Sequence, residues 1–152
     1  MNRIYIAAGS NKGDRAGNVI KALRLVGKKV EITKISPFIK TLPAEGAEGG
    51  FFINGVIEGN TRLTVANLFE FLQNIEKKIG RKHPHKKGDE REIDLDIIFY
   101  GDRVFRTDKL TVPHPRYRKR IFVLKPLCDI APDFIDPETR QIVSDIYKKL
   151  KK

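Results

Sequence analysis

The sequence predicts an α+β fold: a ferredoxin-like βαββαβ sandwich with an antiparallel sheet, helices on one face, and a C-terminal extension. Three observations carry that expectation. Four stretches have the alternation or apolar run of a strand, and two have helical spacing behind a capping residue. Their order is strand, helix, strand, strand, helix, strand. At 152 residues the chain has the size of one ordinary domain. It shows no repeat and no linker, so residues 1–152 are read as a single domain.

Residues 3–8, RIYIAA, make the first strand, and GSNKGD follows as a turn whose Asp14 caps a helix starting at Arg15. Ala16, Val19, Leu23 and Val26 recur at helical spacing and give that helix an inward face. VEITKISPFI reads as the second strand, marked by Val30, Ile32 and Ile35, and runs into the Gly- and Pro-rich loop KTLPAEGAEGG. FFINGVIEG is the third strand. Thr64 then caps a second helix with Val65, Leu68, Leu72 and Ile75 on its buried stripe. After Gly80 the polar loop RKHPHKKGDE delivers the chain to the fourth strand, in EREIDLDIIFYG. VPHP, YRKRIFVLKPL and a final lysine-rich helix extend beyond that unit.

Composition narrows the function classes. A 40% hydrophobic content with nine phenylalanines fits a folded protein, and 32% charged residues fit a solvated surface. No apolar run of membrane-spanning length and no signal-peptide pattern is present, so a soluble cytoplasmic protein is expected. Cys128 is the single cysteine, which excludes an intramolecular disulfide. The formal charge of +11 attracts phosphate, whether in a nucleotide or in a polymer.

The fourth strand carries an anomaly. Asp94 and Asp96 stand two apart within Ile93, Leu95, Ile97, Ile98, Phe99 and Tyr100. Alternation projects the two carboxylates together while Ile93, Leu95 and Ile97 turn to the buried side. Asp is disfavoured in strands, and like charges at this spacing repel unless a cation intervenes. Oxygen donors in this number suit Mg²⁺, which completes its shell with water and phosphates. Around the pair, residues 77–87 hold six Lys or Arg and two histidines, Arg91 stands three before Asp94, and RYRKR at 116–120 adds four positive charges. Carboxylates for metal beside guanidinium groups suit phosphoryl transfer, where catalysis is mostly positioning and charge stabilisation. A solvated acidic strand face and a solvated basic loop are the plain alternatives.

These residues resemble the 6-hydroxymethyl-7,8-dihydropterin pyrophosphokinase family. The likeness runs through YIAAGSNKGD, FFINGVIEG, IEKKIGR, REIDLDIIFYG, LTVPHP, RIFVLKPL and IAP, in that order, over nearly the whole chain. The resemblance implies transfer of pyrophosphate from ATP to the hydroxymethyl group of a dihydropterin in folate biosynthesis, releasing AMP. It implies two Mg²⁺ ions on Asp94 and Asp96, with Arg81 and Arg91 as catalytic contacts to the transferring phosphates. Gln73, Glu76, Ile98, Thr111, His114 and Arg120 fall at nucleotide positions. Thr41, Leu42, Ala44, Phe52, Asn54 and Phe122 fall at pterin positions, with Asn54 bonding the pterin edge and Phe122 stacking on its ring. The implied partners are these small molecules, with no nucleic acid, no membrane and a monomeric chain.

The sequence departs from the family where Gly88, Asp89 and Glu90 replace an aromatic residue followed by Gly and Pro. His83 replaces an arginine, Lys109 stands where another arginine occurs, Pro115 replaces a tyrosine and Leu42 a proline. Two further readings follow: a basic sheet surface that contacts RNA, and a pterin binder of weak activity. His83 and His85 are read as solvated or phosphate-facing.

Overall fold

The computed structural model describes residues 1–42, 50–80 and 91–152. Its organising strand is β1 (Asn2–Ser10), which pairs antiparallel with β4 (Phe52–Thr61) on one side and β5 (Asp94–Tyr100) on the other. β2 (Val30–Ile35) and β3 (Ile39–Thr41) both pair with the far edge of β4, giving the order β2-β4-β1-β5. The predicted second strand is therefore two. Ser36 sits at the break: its N–H donates to Val56 O at 2.9 Å, and its hydroxyl accepts from Val56 N–H at 2.9 Å. Pro37 has no N–H with which to continue the ladder.

Both helices of the predicted unit begin where the sequence places them. The Asp14 carboxylate accepts from Gly17 N–H at the start of α1 (Arg15–Val26), and the Thr64 hydroxyl accepts from Asn67 N–H at the start of α2 (Val65–Ile79). The inward face of α1 is Asn18, Val19, Ala22 and Val26, while Ala16 is exposed, contrary to the expected stripe. A polar bond turns the helix: the Asn18 amide donates to Lys12 O at 2.9 Å and ties the helix to its preceding turn. On α2, Leu68, Leu72 and Ile75 are buried as the spacing predicts.

Helices α1 and α2 cover one sheet face, where Ile4, Ile6, Ala8, Ile57, Leu95, Ile97 and Tyr100 form a core with Val19, Val26, Leu68 and Leu72. The chain after β5 forms the short pair β6 (Phe105–Arg106) and β7 (Thr111–Val112), a 3₁₀ turn at Tyr117–Lys119, α3 (Ile121–Ile130) and α4 (Val143–Lys151). It does not hang off the sandwich. Leu124, Leu127 and Val143 are fully buried against Tyr5, Val56, Ile98 and Phe99 on the other sheet face. Burial of each such side chain stabilises by about 1.5–3 kcal/mol, so the extension is the second half of the core. Helices gathered on one face describe only α1 and α2.

Side-chain alternation breaks in β5. Ile6 pairs with Ile97 and Tyr5 with Phe99, leaving Ile98 as an extra residue, a bulge. Asp94, Asp96, Ile98 and Phe99 consequently share the second face, while Leu95, Ile97 and Tyr100 share the first. The bulge lets one strand serve both a site and an aromatic core, in which Phe99 stacks edge-on with Tyr5 at 6.0 Å and Tyr117 at 5.1 Å.

Asp136 locks the second half in place. It is fully buried and accepts from the Tyr117 hydroxyl, from Arg118 Nε at 2.8 Å and from Glu138 N–H at 2.8 Å. Burial alone would raise its carboxyl, but the bonds from Tyr117, Glu138 N–H and Arg118 hold it below the usual range. The carboxylate thus contributes stability at neutral pH that is lost as pH falls below its unfolded value of about 4 and through its lower folded one. Asp136→Ala should lower unfolding free energy in urea by about 3 kcal/mol, since it leaves the Tyr117 hydroxyl and Arg118 Nε without their acceptor, Glu138 retaining only Arg118 Nη2. A loss under about 1 kcal/mol would show that water replaces the carboxylate freely.

Candidate active site

The C-terminal end of β1 reads Ala7, Ala8, Gly9, Ser10, and register places its small residues between larger ones. Gly9 lies between Asp94 of β5 and Asn54 of β4, and Ala7 between Asp96 and Val56. Neighbouring strands are about 4.8 Å apart, so Asp94 and Asn54 flank a trough about 10 Å wide at the backbone, floored by glycine. A Cβ on Gly9 would stand 2.5 Å from Asn54 Oδ1. That contact is shorter than van der Waals packing permits, so Gly9 makes room for the Asn54 amide.

Asn54 is buried, and its Nδ2 donates to Thr41 Oγ1 at 2.8 Å. Thr41 sits opposite Phe52 in the β3–β4 pair, which brings Thr41, Phe52 and Asn54 together. Helix α3 packs over β4 and β3. Phe122, in its first turn, lies partly buried against the second core, with the Arg120 guanidinium 5.7 Å from its ring centre.

At the other side of the trough, Arg91 Nη1 donates to Asp94 Oδ2 at 3.1 Å. Arg91 Nε is buried and, among the described residues, has no hydrogen-bond partner. A buried donor left open beside a carboxylate suits an incoming anion such as a phosphate oxygen. Asp94 and Asp96 are both half-buried, about 6–7 Å apart at the backbone, and offer oxygen donors only. Among the described residues no group of three or more His, Cys, Asp or Glu is placed to hold a metal. Two carboxylates alone fit Mg²⁺, which takes few protein ligands and fills its shell from water and phosphate.

His114 closes this side. Its N–H donates to Ile98 O at 3.0 Å, on the bulge residue of β5. Its Nδ1 accepts from Arg116 N–H at 3.1 Å, which leaves the ring proton on Nε2 as a donor. Burial first, then the positive charges of Arg120 and Arg116, push the imidazole down to about 4, against a smaller opposing pull from Asp94. His114 is a neutral donor at physiological pH.

The remaining expected residues are placed less directly. Glu76 is 3% exposed on the first face, where its carboxylate accepts from Leu95 N–H at 2.7 Å. It satisfies a backbone donor on the open edge of β5 and so meets the trough through that strand. Gln73 shares α2 with it and is half-buried. The Ile98 side chain is 1% exposed in the second core, so only its backbone lies at the site's edge. Thr111 is half-buried in β7 opposite Arg106, and Leu42 is 86% exposed. Ala44, Arg81, His83, His85, Gly88, Asp89 and Glu90 lie outside the described residues. Gly9 and Ala7 are the site residues that the sequence reading missed; the small-residue run AAGS is the signal that marks them. A surface cavity of about 520 Å³ lies at the opposite end of the sheet, beside Lys28, Lys29 and Arg62, and includes none of the site residues.

Comparison with known proteins bears on this geometry. A family model described as 7,8-dihydro-6-hydroxymethylpterin-pyrophosphokinase (HPPK) matches residues 5–132. The 2-amino-4-hydroxy-6-hydroxymethyldihydropteridine pyrophosphokinase of Aquifex aeolicus is 39% identical over 141 residues, covering 93% of this chain and 88% of that protein. The folic acid synthesis protein fol1 of Schizosaccharomyces pombe is 36% identical over 148 residues, covering 96% of this chain but only 20% of its own length. Among solved structures, wild-type Plasmodium falciparum HPPK-DHPS with pteroate superposes with a TM-score of 0.78 at 13% identity, over 97% of this chain and 42% of that one. At that identity the likeness is one of fold.

Two measurements check the site. The His114 ring carbons, followed by NMR, should show a neutral imidazole from pH 8 to pH 5 and a midpoint near 4. Because that value is depressed from about 6.5, His114 should cost stability only as pH falls below 6.5 and toward 4. A midpoint at 6 or above would contradict the buried, cation-flanked placement. Gly9→Ala should shift the Asn54 side-chain amide resonances strongly while other β4 signals move little, and unchanged Asn54 signals would show that the trough has spare room.

Proposed function

The chain belongs to the 7,8-dihydro-6-hydroxymethylpterin-pyrophosphokinase family, whose activity is pyrophosphate transfer in folate biosynthesis, and we propose that Asp94 and Asp96 hold the Mg²⁺–ATP end of that reaction. The observation that supports this reading most is the row Asp94, Gly9, Asn54. It sets an acidic, arginine-backed wall opposite an amide that can read a heterocycle edge.

In this reading the pterin lies against Phe122 and Phe52. The Asn54 amide bonds its edge, with one Nδ2 hydrogen already committed to Thr41. Asp94 and Asp96 would hold two Mg²⁺ ions, which would supply Lewis-acid charge stabilisation for the ATP phosphates and favour ionisation of the attacking hydroxyl. The substrate's hydroxymethyl oxygen attacks the β-phosphorus in line, and AMP leaves. Arg91 uses its open Nε on the transferring oxygens while Nη1 keeps it aligned on Asp94. Neutral His114 donates from Nε2 to a nucleotide oxygen without adding charge. Arg81 is assigned to the same phosphates, and Arg120, Gln73, Thr111 and the Ile98 backbone to the nucleotide. Thr41, Leu42 and Ala44 border the pterin. The chain is taken to act as a cytoplasmic monomer on small molecules. Among the described residues no helix is long and apolar enough to cross a membrane.

The RNA-binding alternative loses its surface. An RNA-stacking sheet needs exposed aromatic residues, whereas Tyr5 and Phe99 lie under α3 and α4 in the second core. The weak-binder alternative is decided by assay. AMP release from ATP should require both the pterin alcohol and Mg²⁺, and chelation should abolish it. Asp94→Ala and Asp96→Ala should each lower turnover by about a hundredfold or more at unchanged melting temperature. An Asp96→Ala enzyme of normal turnover would remove the metal assignment.

A further inference from the structure

Asn11 is fully buried at the end of β1 and makes two bonds to one residue. Its backbone N–H donates to Arg91 O at 3.0 Å, and its side-chain Oδ1 accepts from Arg91 N–H at 2.6 Å. The β1–β5 ladder ends at Gly9 opposite Asp94, so these bonds lie beyond the last rung. A regular rung would exchange two backbone bonds between facing residues. Here the side-chain amide stands in for the missing main-chain carbonyl, and the pairing is carried past the strand's end to Arg91.

The consequence concerns aim. Arg91 is three residues before Asp94, and its guanidinium must turn back over the strand end to reach that carboxylate at 3.1 Å. Its backbone precedes β5 and lies outside the β1–β5 ladder, held to the end of β1 by the Asn11 backbone N–H and side chain. Asn11 supplies the fixed point from which the arginine side chain extends. Arg91 Nε, buried and without a partner among the described residues, is carried on the side chain that Asn11 anchors.

We propose that Asn11 is a positioning residue for phosphate transfer, acting through Arg91 by completing with its side-chain amide a pairing to which its backbone contributes only one bond. The inference rests on the assignment of Arg91 to the transferring phosphates. A misplacement of about 1 Å at such a group costs up to a hundredfold in rate, so loss of this anchor should appear in turnover more than in substrate binding.

The test is a double-substitution cycle with Asn11→Ala and Arg91→Ala, read by AMP release, alongside the Arg91 amide proton shift in the ligand-free protein. Arg91→Ala should lower kcat. Asn11→Ala should lower kcat by about tenfold with the KM for the pterin alcohol changed less than about threefold, and should have under a twofold effect once Arg91 is alanine. The Arg91 amide proton, downfield in the parent protein because of its short bond, should move upfield in Asn11→Ala. Asn11→Asp keeps the acceptor and should retain both the downfield shift and most of the turnover; it also keeps the test valid if Asn11→Ala does not fold. An equal loss from Asn11→Ala in both backgrounds, or an Asn11→Asp enzyme as impaired as Asn11→Ala, overturns the inference while leaving Arg91 in its role. An Arg91→Ala enzyme with normal kcat overturns the Arg91 assignment and this inference together.

Discussion

The double-sided antiparallel pairing of β1 is the constraint from which the rest of the molecule follows. One strand is bonded to β4 and β5 together, so a single register fixes which residues of three strands stand abreast. A shift by one residue would carry Asp94, Asp96 and Asn54 into the apolar core under α1 and α2 and bring Leu95 and Ile97 out of it. The apolar residues Ile4, Ile6 and Ala8 hold that register on the first face, and Tyr5 with its bond to Glu58 at 2.7 Å holds it on the second. Site geometry is thus a by-product of core packing.

Polar groups mark the places where this scheme needs a supplement. Glu76 reaches round the edge of β5 to satisfy Leu95 N–H, His114 takes the Ile98 carbonyl on the bulge, and Asn11 extends pairing beyond Gly9. Two of these bonds sit beside trough residues: Leu95 is flanked by Asp94 and Asp96, and Asn11 holds Arg91, which bonds Asp94. Buried polar groups of this kind are costly if any partner is lost, and that cost holds the strand ends in one arrangement. The acidic pair is likewise prepared before any ligand arrives, because Arg91 already offsets the charge of Asp94.

Much of this was legible from residue order. Asp14 and Thr64 announce both helix starts, since their side chains accept from the first free N–H groups. The alternation around Asp94 and Asp96 gave their common direction, because it depends only on the strand period. The β5 bulge was hidden: Ile97, Ile98, Phe99 and Tyr100 are all apolar, and a continuous apolar run carries no phase from which an extra residue could be read. Ser36 and Pro37 broke the second strand for a reason visible only once Val56 lay opposite. Asn11 and Gly9 lay inside a turn-like stretch whose bonding depends on residues some 80 positions away, so local spacing gave no sign of their partners.

The account stands on divalent ions bound jointly by Asp94 and Asp96 in the presence of a nucleotide polyphosphate. Electron paramagnetic resonance with Mn²⁺ and an α,β-methylene analogue of ATP measures this without turnover. Two Mn²⁺ should bind per chain in the ternary mixture and be lost when both aspartates are replaced by asparagine, with the fold unchanged by circular dichroism. Retention of both ions in that doubly substituted protein would contradict the account.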